Sequence, residues 1–244
     1  VSRGSPASPG AGDAGRLVWD LPVRITHWLL VLAVSGSWLT SRLDSSYFTW
    51  HEYCGYTVLV LASFRILWGF VGTRHALFRE FVRGPQSMLE YLATLRGGRA
   101  APGGPPSVGH NPLGAVSVVL LLAALLGQAC TGLFANDDID NAGPFYGWVS
   151  ASLSNALTRW HHLIFDALEL LIAVHLAAIA FYAVVRRENL VLPMIHGRKP
   201  AALVPADRAV GGSRLLLAAA LVALLIAGLV VAIRRAPAVS MSIF

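Results

Sequence analysis

The chain has 244 residues, of which 55% are hydrophobic and 13% charged, and its mean hydropathy is +0.60. That balance excludes an ordinary soluble domain and places the chain in the membrane class. The net charge of +6 comes almost wholly from arginine in the segments between apolar runs, a membrane-topology pattern rather than a nucleic-acid footprint.

Residues 1–15 are rich in Ser, Gly, Pro and Ala and read as a disordered tail. They lack the apolar core and small-residue cleavage site of a signal peptide, so the first hydrophobic run is expected to remain as a membrane helix. Five runs reach the length of about 20 apolar residues that a bilayer core requires: 25–43, 53–71, 113–134, 160–185 and 215–233. Pro112 sits at the expected first turn of the third, where its missing N–H costs nothing. Gly97-Gly98, the stretch 101–107 and Gly211-Gly212 break the chain between runs. The fold class that follows is an all-α integral membrane protein. It divides into the tail, a four-helix membrane domain over 16–199, a linker over 200–213, and a fifth helix with a short tail over 214–244.

With the N-terminus in the cytoplasm, the inner segments hold fourteen arginines and lysines and the outer segments four. The bias sets that orientation and leaves Asp137, Asp138 and Asp140 outside.

Four of the eight histidines sit where haem ligands are needed. His161 and His175 lie fourteen residues apart in the fourth run. At about 100° and 1.5 Å per residue they project from nearly one face, about 21 Å apart along the axis. His162 is about 140° off the face of His175, so His161 is favoured over it. His27 opens the first run at the depth of His175, and His51 precedes the second run at the depth of His161. The expected axial pairs are His27 with His175 and His51 with His161, holding two b-type haems. Bis-imidazole ligation leaves no open iron position and suits electron transfer. No C-x-x-C-H occurs, which excludes covalent c-type attachment, and Cys54 and Cys130 read as packing residues. His75, His110 and His196 fall in inner loops, with a solvated or headgroup-facing role expected.

Gly55 and Gly69 project near the face of His51, where they either admit a flat macrocycle or allow close helix packing. Arg65 lies inside the second run at inner depth. A charge there is costly and marks function by default; Arg65, together with Arg24, is expected to meet the inner haem propionates, the alternative being that Arg65 snorkels to the interface. Asp166 and Glu169 either belong to a proton or quinone site or face a polar crevice.

These motifs resemble the prokaryotic cytochrome b561 family, and within it the cytochrome b subunit of membrane-bound nickel–iron hydrogenases. The carriers are LPVRITHWLL at 21–30 with His27, HEYCGY and FRILWGFVG between His51 and Gly72, GHNP at 109–112, and Trp160-His161 followed by His175. The likeness spans roughly 17–199. It implies a di-haem carrier linking a periplasmic redox partner (a hydrogenase, a dehydrogenase or a c-type cytochrome) to the quinone pool of the bacterial inner membrane. The fifth run lies beyond the family's four-helix core, and the short outer loop after the third run departs from the hydrogenase type. A rival reading is an enzyme in its own right, oxidising a small reductant such as superoxide and reducing quinone. A metal-dependent hydrolase or desaturase is excluded, because such sites cluster histidines as in H-E-x-x-H.

Overall fold

The computed structural model describes residues 15–82, 84–97, 108–109 and 111–237. The expected disordered tail (apart from Gly15), the breaker-rich stretch 98–107 and His110 lie outside the described residues. The described residues open with a two-residue strand, β1 (Arg16–Leu17), followed by helices α1 (Leu21–Thr40) and α2 (Phe48–Val71). Short helices α3 (Phe78–Phe81) and α4 (Pro85–Gly97) precede α5 (Pro112–Gly132) and α6 (Ala151–Val184). After α7 (Val191–His196) and strand β2 (Arg198–Lys199), the last described helix is α8 (Leu215–Arg235). The strands pair antiparallel, Arg16 opposite Lys199.

All five apolar runs are helices, and their starts are set by local chemistry. Asp20 caps α1 by accepting from the Val23 N–H at 2.7 Å, and Asn111 caps α5 by accepting from Gly114 at 2.7 Å. Pro22 and Pro112 stand in the first turns. Ser150 caps α6, which starts nine residues before the apolar run and outreaches it. α2 likewise starts at Phe48, so His51 lies within its first turn rather than ahead of it. In both cases the polar opening residues satisfy helical geometry without being apolar.

Among the described residues, four helices are long and apolar enough to cross a membrane: α2 with its leading turn, α5, α6 and α8. α1 is less apolar because Arg24, His27 and the Ser35-Gly36-Ser37 run interrupt it. In α2, 44% of the most apolar stretch is buried, against 11% in α5 and 6% in α6 and in α8. α2 is therefore the central helix, and the others turn most of their leucines outward, as lipid-facing helices do.

The bundle core is built from Ala33, Val58, Ala62, Leu125, Ala129 and Leu168, whose three alanines let α1, α2 and α5 approach closely. A second core lies at the N-terminal end of the bundle, where Val18, Trp19, Phe64, Trp68, Ala76 and Val204 pack together with Ala218 of α8. Here the segment 200–213 is folded down as a cap: Val204 is fully buried, and the Val210 N–H donates to the Leu17 carbonyl at 2.9 Å. His75 is part of this cap. It is buried and its Nε2 donates to the Arg208 carbonyl at 2.8 Å, which corrects the solvated role expected for it. His196 ends α7 and is exposed.

Asp20 ties the cap to the bundle. It is 1% exposed; one oxygen caps α1, and the other accepts from the Trp68 indole at 2.9 Å and from the Thr73 hydroxyl.

Candidate functional site

At the end of the bundle away from the N-terminus, His51 of α2 and His161 of α6 face each other with ring centroids 6.3 Å apart. Both line a cavity of about 660 Å³ between α1, α2, α5 and α6, within the size range of small-ligand pockets. The Nδ1 of His51 donates to the Ser37 carbonyl at 3.0 Å, and the Nδ1 of His161 donates to the Gln128 carbonyl at 2.9 Å. A carbonyl can only accept, so each Nδ1 carries a proton, and in the neutral ring the lone pair is then on Nε2. The Gln128 side-chain amide donates to that lone pair of His161 at 3.0 Å. His162 also lines the cavity but is exposed.

Glycines clear the space. An added Cβ on Gly55 would meet nothing within 4 Å, whereas one on Gly132 would stand 2.9 Å from Cε1 of His161. Gly69 has a different use: a Cβ there would fall on the Phe78 ring, so this glycine serves packing. Asp166 lines the cavity. Glu169 instead accepts from the Trp38 indole at 3.1 Å and lies 4.0 Å from Arg42, fastening α1 to α6.

At the N-terminal end, His27 of α1 and His175 of α6 lie within electrostatic reach of each other. Arg65 is 6% exposed and does not snorkel. Its Nη1 donates to the Ala76 carbonyl at 3.3 Å, and its guanidinium lies over the Phe78 ring at 5.6 Å, a cation–π contact. The Nη1 of Arg24 donates to the Ile195 carbonyl. Among the described residues, four buried side-chain polar atoms lack a hydrogen-bond partner: Arg24 Nε, His27 Nδ1, Arg65 Nη2 and Gln128 Oε1. Buried polar atoms are nearly always satisfied; of these four, Gln128 lines the His51/His161 cavity, and the other three lie toward the N-terminal end of the bundle.

The model of the prokaryotic cytochrome b561 family matches residues 18–197. The chain belongs to that family. It is similar to curated proteins named "Probable Ni/Fe-hydrogenase B-type cytochrome subunit". That of Bradyrhizobium diazoefficiens is 28% identical, over 75% of this chain and 85% of the relative. That of Rhodobacter capsulatus is 28% identical over 75% and 80%, and that of Cupriavidus necator 26% identical over 81% and 91%. No solved structure matches significantly. The cytochrome is thus a multi-pass protein of the bacterial inner membrane that uses haem b in membrane electron transfer.

The residues present in this cytochrome fit such a group. Two imidazoles sharing one metal at about 2 Å each have ring centres about 6 Å apart, close to the separation of His51 and His161. Their Nδ1–carbonyl bonds are the outer contacts that fix the tautomer and orientation of a metal-bound imidazole. Ser37, Gln128 and Gly132 carry this support and were not among the residues singled out from sequence. Gln128 was the legible one, as a lone long polar side chain within an apolar helix. The Ser37 and Gln128 carbonyls leave no sequence signal, since every residue has one.

Proposed function

We propose that this cytochrome holds two b-type haems, one between His51 and His161 and one between His27 and His175, and carries electrons across the bilayer. Bound haem b supplies a one-electron iron couple. The chain supplies position and electrostatics: α6 offers one histidine to each site, α1 and α2 offer the partners, and Arg24 and Arg65 stand ready for the propionates at the N-terminal site. α1 serves as a fifth span, and the N-terminus is cytoplasmic. The arginine-rich segments before α1, after α2 and after α6 all gather in the cap at the N-terminal end, which supports that orientation.

The observation that carries this reading is the facing pair His51 and His161, with both Nδ1 protons committed to backbone carbonyls and a cavity between the helices. The unpartnered nitrogens of Arg24, His27 and Arg65 support the second site. A hydrogenase or another periplasmic redox protein is the proposed partner at the His51/His161 end, in keeping with the names of the relatives, and the membrane quinone pool is the proposed other terminus.

The test is a dithionite-reduced minus oxidised spectrum of the detergent-purified chain with haem quantified. Sharp low-spin b-type bands and two haems per chain are expected. One haem per chain would break one of the two pairs; His27→Ala and His51→Ala, compared singly, identify which.

A further inference from the structure

A second cavity, of about 650 Å³, opens at the N-terminal end of the bundle, and no histidine lines it. Its walls are Phe70 at the end of α2, then Arg74, Arg79 and Glu80 beyond it, and Arg214 and Leu217 at the start of α8. Three guanidiniums here meet one carboxylate. Glu80 lies 3.6 Å from Arg74, which also donates to the Asp207 carbonyl at 2.9 Å. Arg214 donates to the Val71 and Gly72 carbonyls at 3.0 and 3.2 Å. Its backbone is left-handed, with φ of 46°, a conformation unfavourable for a residue with a Cβ. The guanidinium of Arg79 has no hydrogen bond or ion pair among the described residues, and the pocket is left with a surplus of positive charge.

The remaining wall is apolar and faces outward. Phe70 is 70% exposed and Leu217 41%, both on helices long and apolar enough to span the membrane. A basic rim at the helix ends directly above a hydrocarbon-facing wall matches one ligand chemistry. A phosphate suits the guanidiniums, which bind it in a planar, multiply hydrogen-bonded fashion, and acyl chains suit Phe70 and Leu217. We propose that this pocket binds an anionic phospholipid between α2 and α8. Basic pockets between transmembrane helices hold such headgroups. A free phosphate would satisfy the arginines but leave the apolar wall without a partner. α8, which supplies Arg214 and Leu217, lies beyond the residues matched to the family, whereas Phe70, Arg74, Arg79 and Glu80 lie within them, and the site does not depend on the haem assignment.

The test is native mass spectrometry of the full chain extracted from vesicles of phosphatidylcholine mixed with phosphatidylglycerol, with wild type beside Arg79→Gln and Arg79→Glu. Wild type is expected to retain phosphatidylglycerol over phosphatidylcholine. Arg79→Gln is expected to lower that retention about fivefold, the contribution of one basic residue at a membrane surface, and Arg79→Glu to lower it further. Haem content and helicity, unchanged in both variants, verify the fold. Equal retention of the two lipids, or undiminished retention in Arg79→Glu, would overturn the proposal. So would displacement of phosphatidylglycerol by millimolar inorganic phosphate, which would assign the pocket to a free anion.

Discussion

The imidazole of His161 lies against the bare backbone of Gly132, where an added Cβ would stand 2.9 Å from Cε1. The ring is also anchored by its bond to the Gln128 carbonyl, so it cannot retreat without losing that bond. Gly132→Ala is therefore expected to tilt the ring away from His51 and weaken haem retention at that site by about tenfold or more, as disturbed outer contacts do in metal sites. Gly228→Ala, where an added Cβ meets nothing within 4 Å, is the control. It should leave the spectrum unchanged and stabilise α8 by about 0.5–1 kcal/mol. Haem per chain and the reduced spectrum of the two variants check this.

His161 and His162 are adjacent, yet they predict opposite outcomes. His161→Ala should remove one of two haems, while His162→Ala should leave both, because His162 is exposed and its neighbour is the one facing His51. Pyridine haemochrome quantification separates the cases. A chain losing haem on replacement of His162 would sink the assignment.

Asp20→Ala should destabilise the chain by about 3–7 kcal/mol. It removes a helix cap worth about 1 kcal/mol and leaves the buried Trp68 indole and Thr73 hydroxyl without an acceptor, each at a cost of about 1–3 kcal/mol. Asp20→Asn keeps one of the two acceptor oxygens and should lose less. Thermal unfolding in detergent, followed by helicity, ranks the three proteins.

Burial pushes the imidazole of His75 below its usual range, against the opposing pull of the Arg208 carbonyl. In the unfolded chain the same group titrates near its ordinary value of about 6.5, so on acidification the unfolded chain takes up the proton first. The contribution of His75 is therefore whole above about pH 6.5 and declines as pH falls toward its own lower value. Melting temperatures of the wild type should drop between about pH 7 and pH 5 by more than those of His75→Gln. Parallel curves for the two proteins would refute this.

What could be read from the sequence was what one helix determines by itself. His161 and His175 share α6, so their separation and relative angle follow from spacing alone, and the five helices follow from apolar length. α2 and α6 start earlier than their apolar runs because Trp50-His51-Glu52 and the polar stretch before Trp160 are helical without being apolar. Relations between distant segments were not legible. Asp20 reads as an ordinary cap until Trp68 and Thr73 are brought onto it, and His75 reads as a loop residue until Arg208 covers it. Arg65 was recognised by the cost of a charge in a span, but nothing in its surroundings in sequence points to the Phe78 ring.

α6 is a single helix of 34 residues with no break, about 51 Å long at 1.5 Å per residue against a hydrocarbon thickness of about 30 Å. Because it carries a histidine for each proposed site, it acts as a ruler: a continuous hydrogen-bonded rod, not an interface, fixes how far an electron travels between them. Breathing of α1 or α2 loosens or tightens the grip at one end without altering that distance. A thinner bilayer is met by tilting the rod, so membrane composition should affect coordination strength before it affects the length of the electron's path.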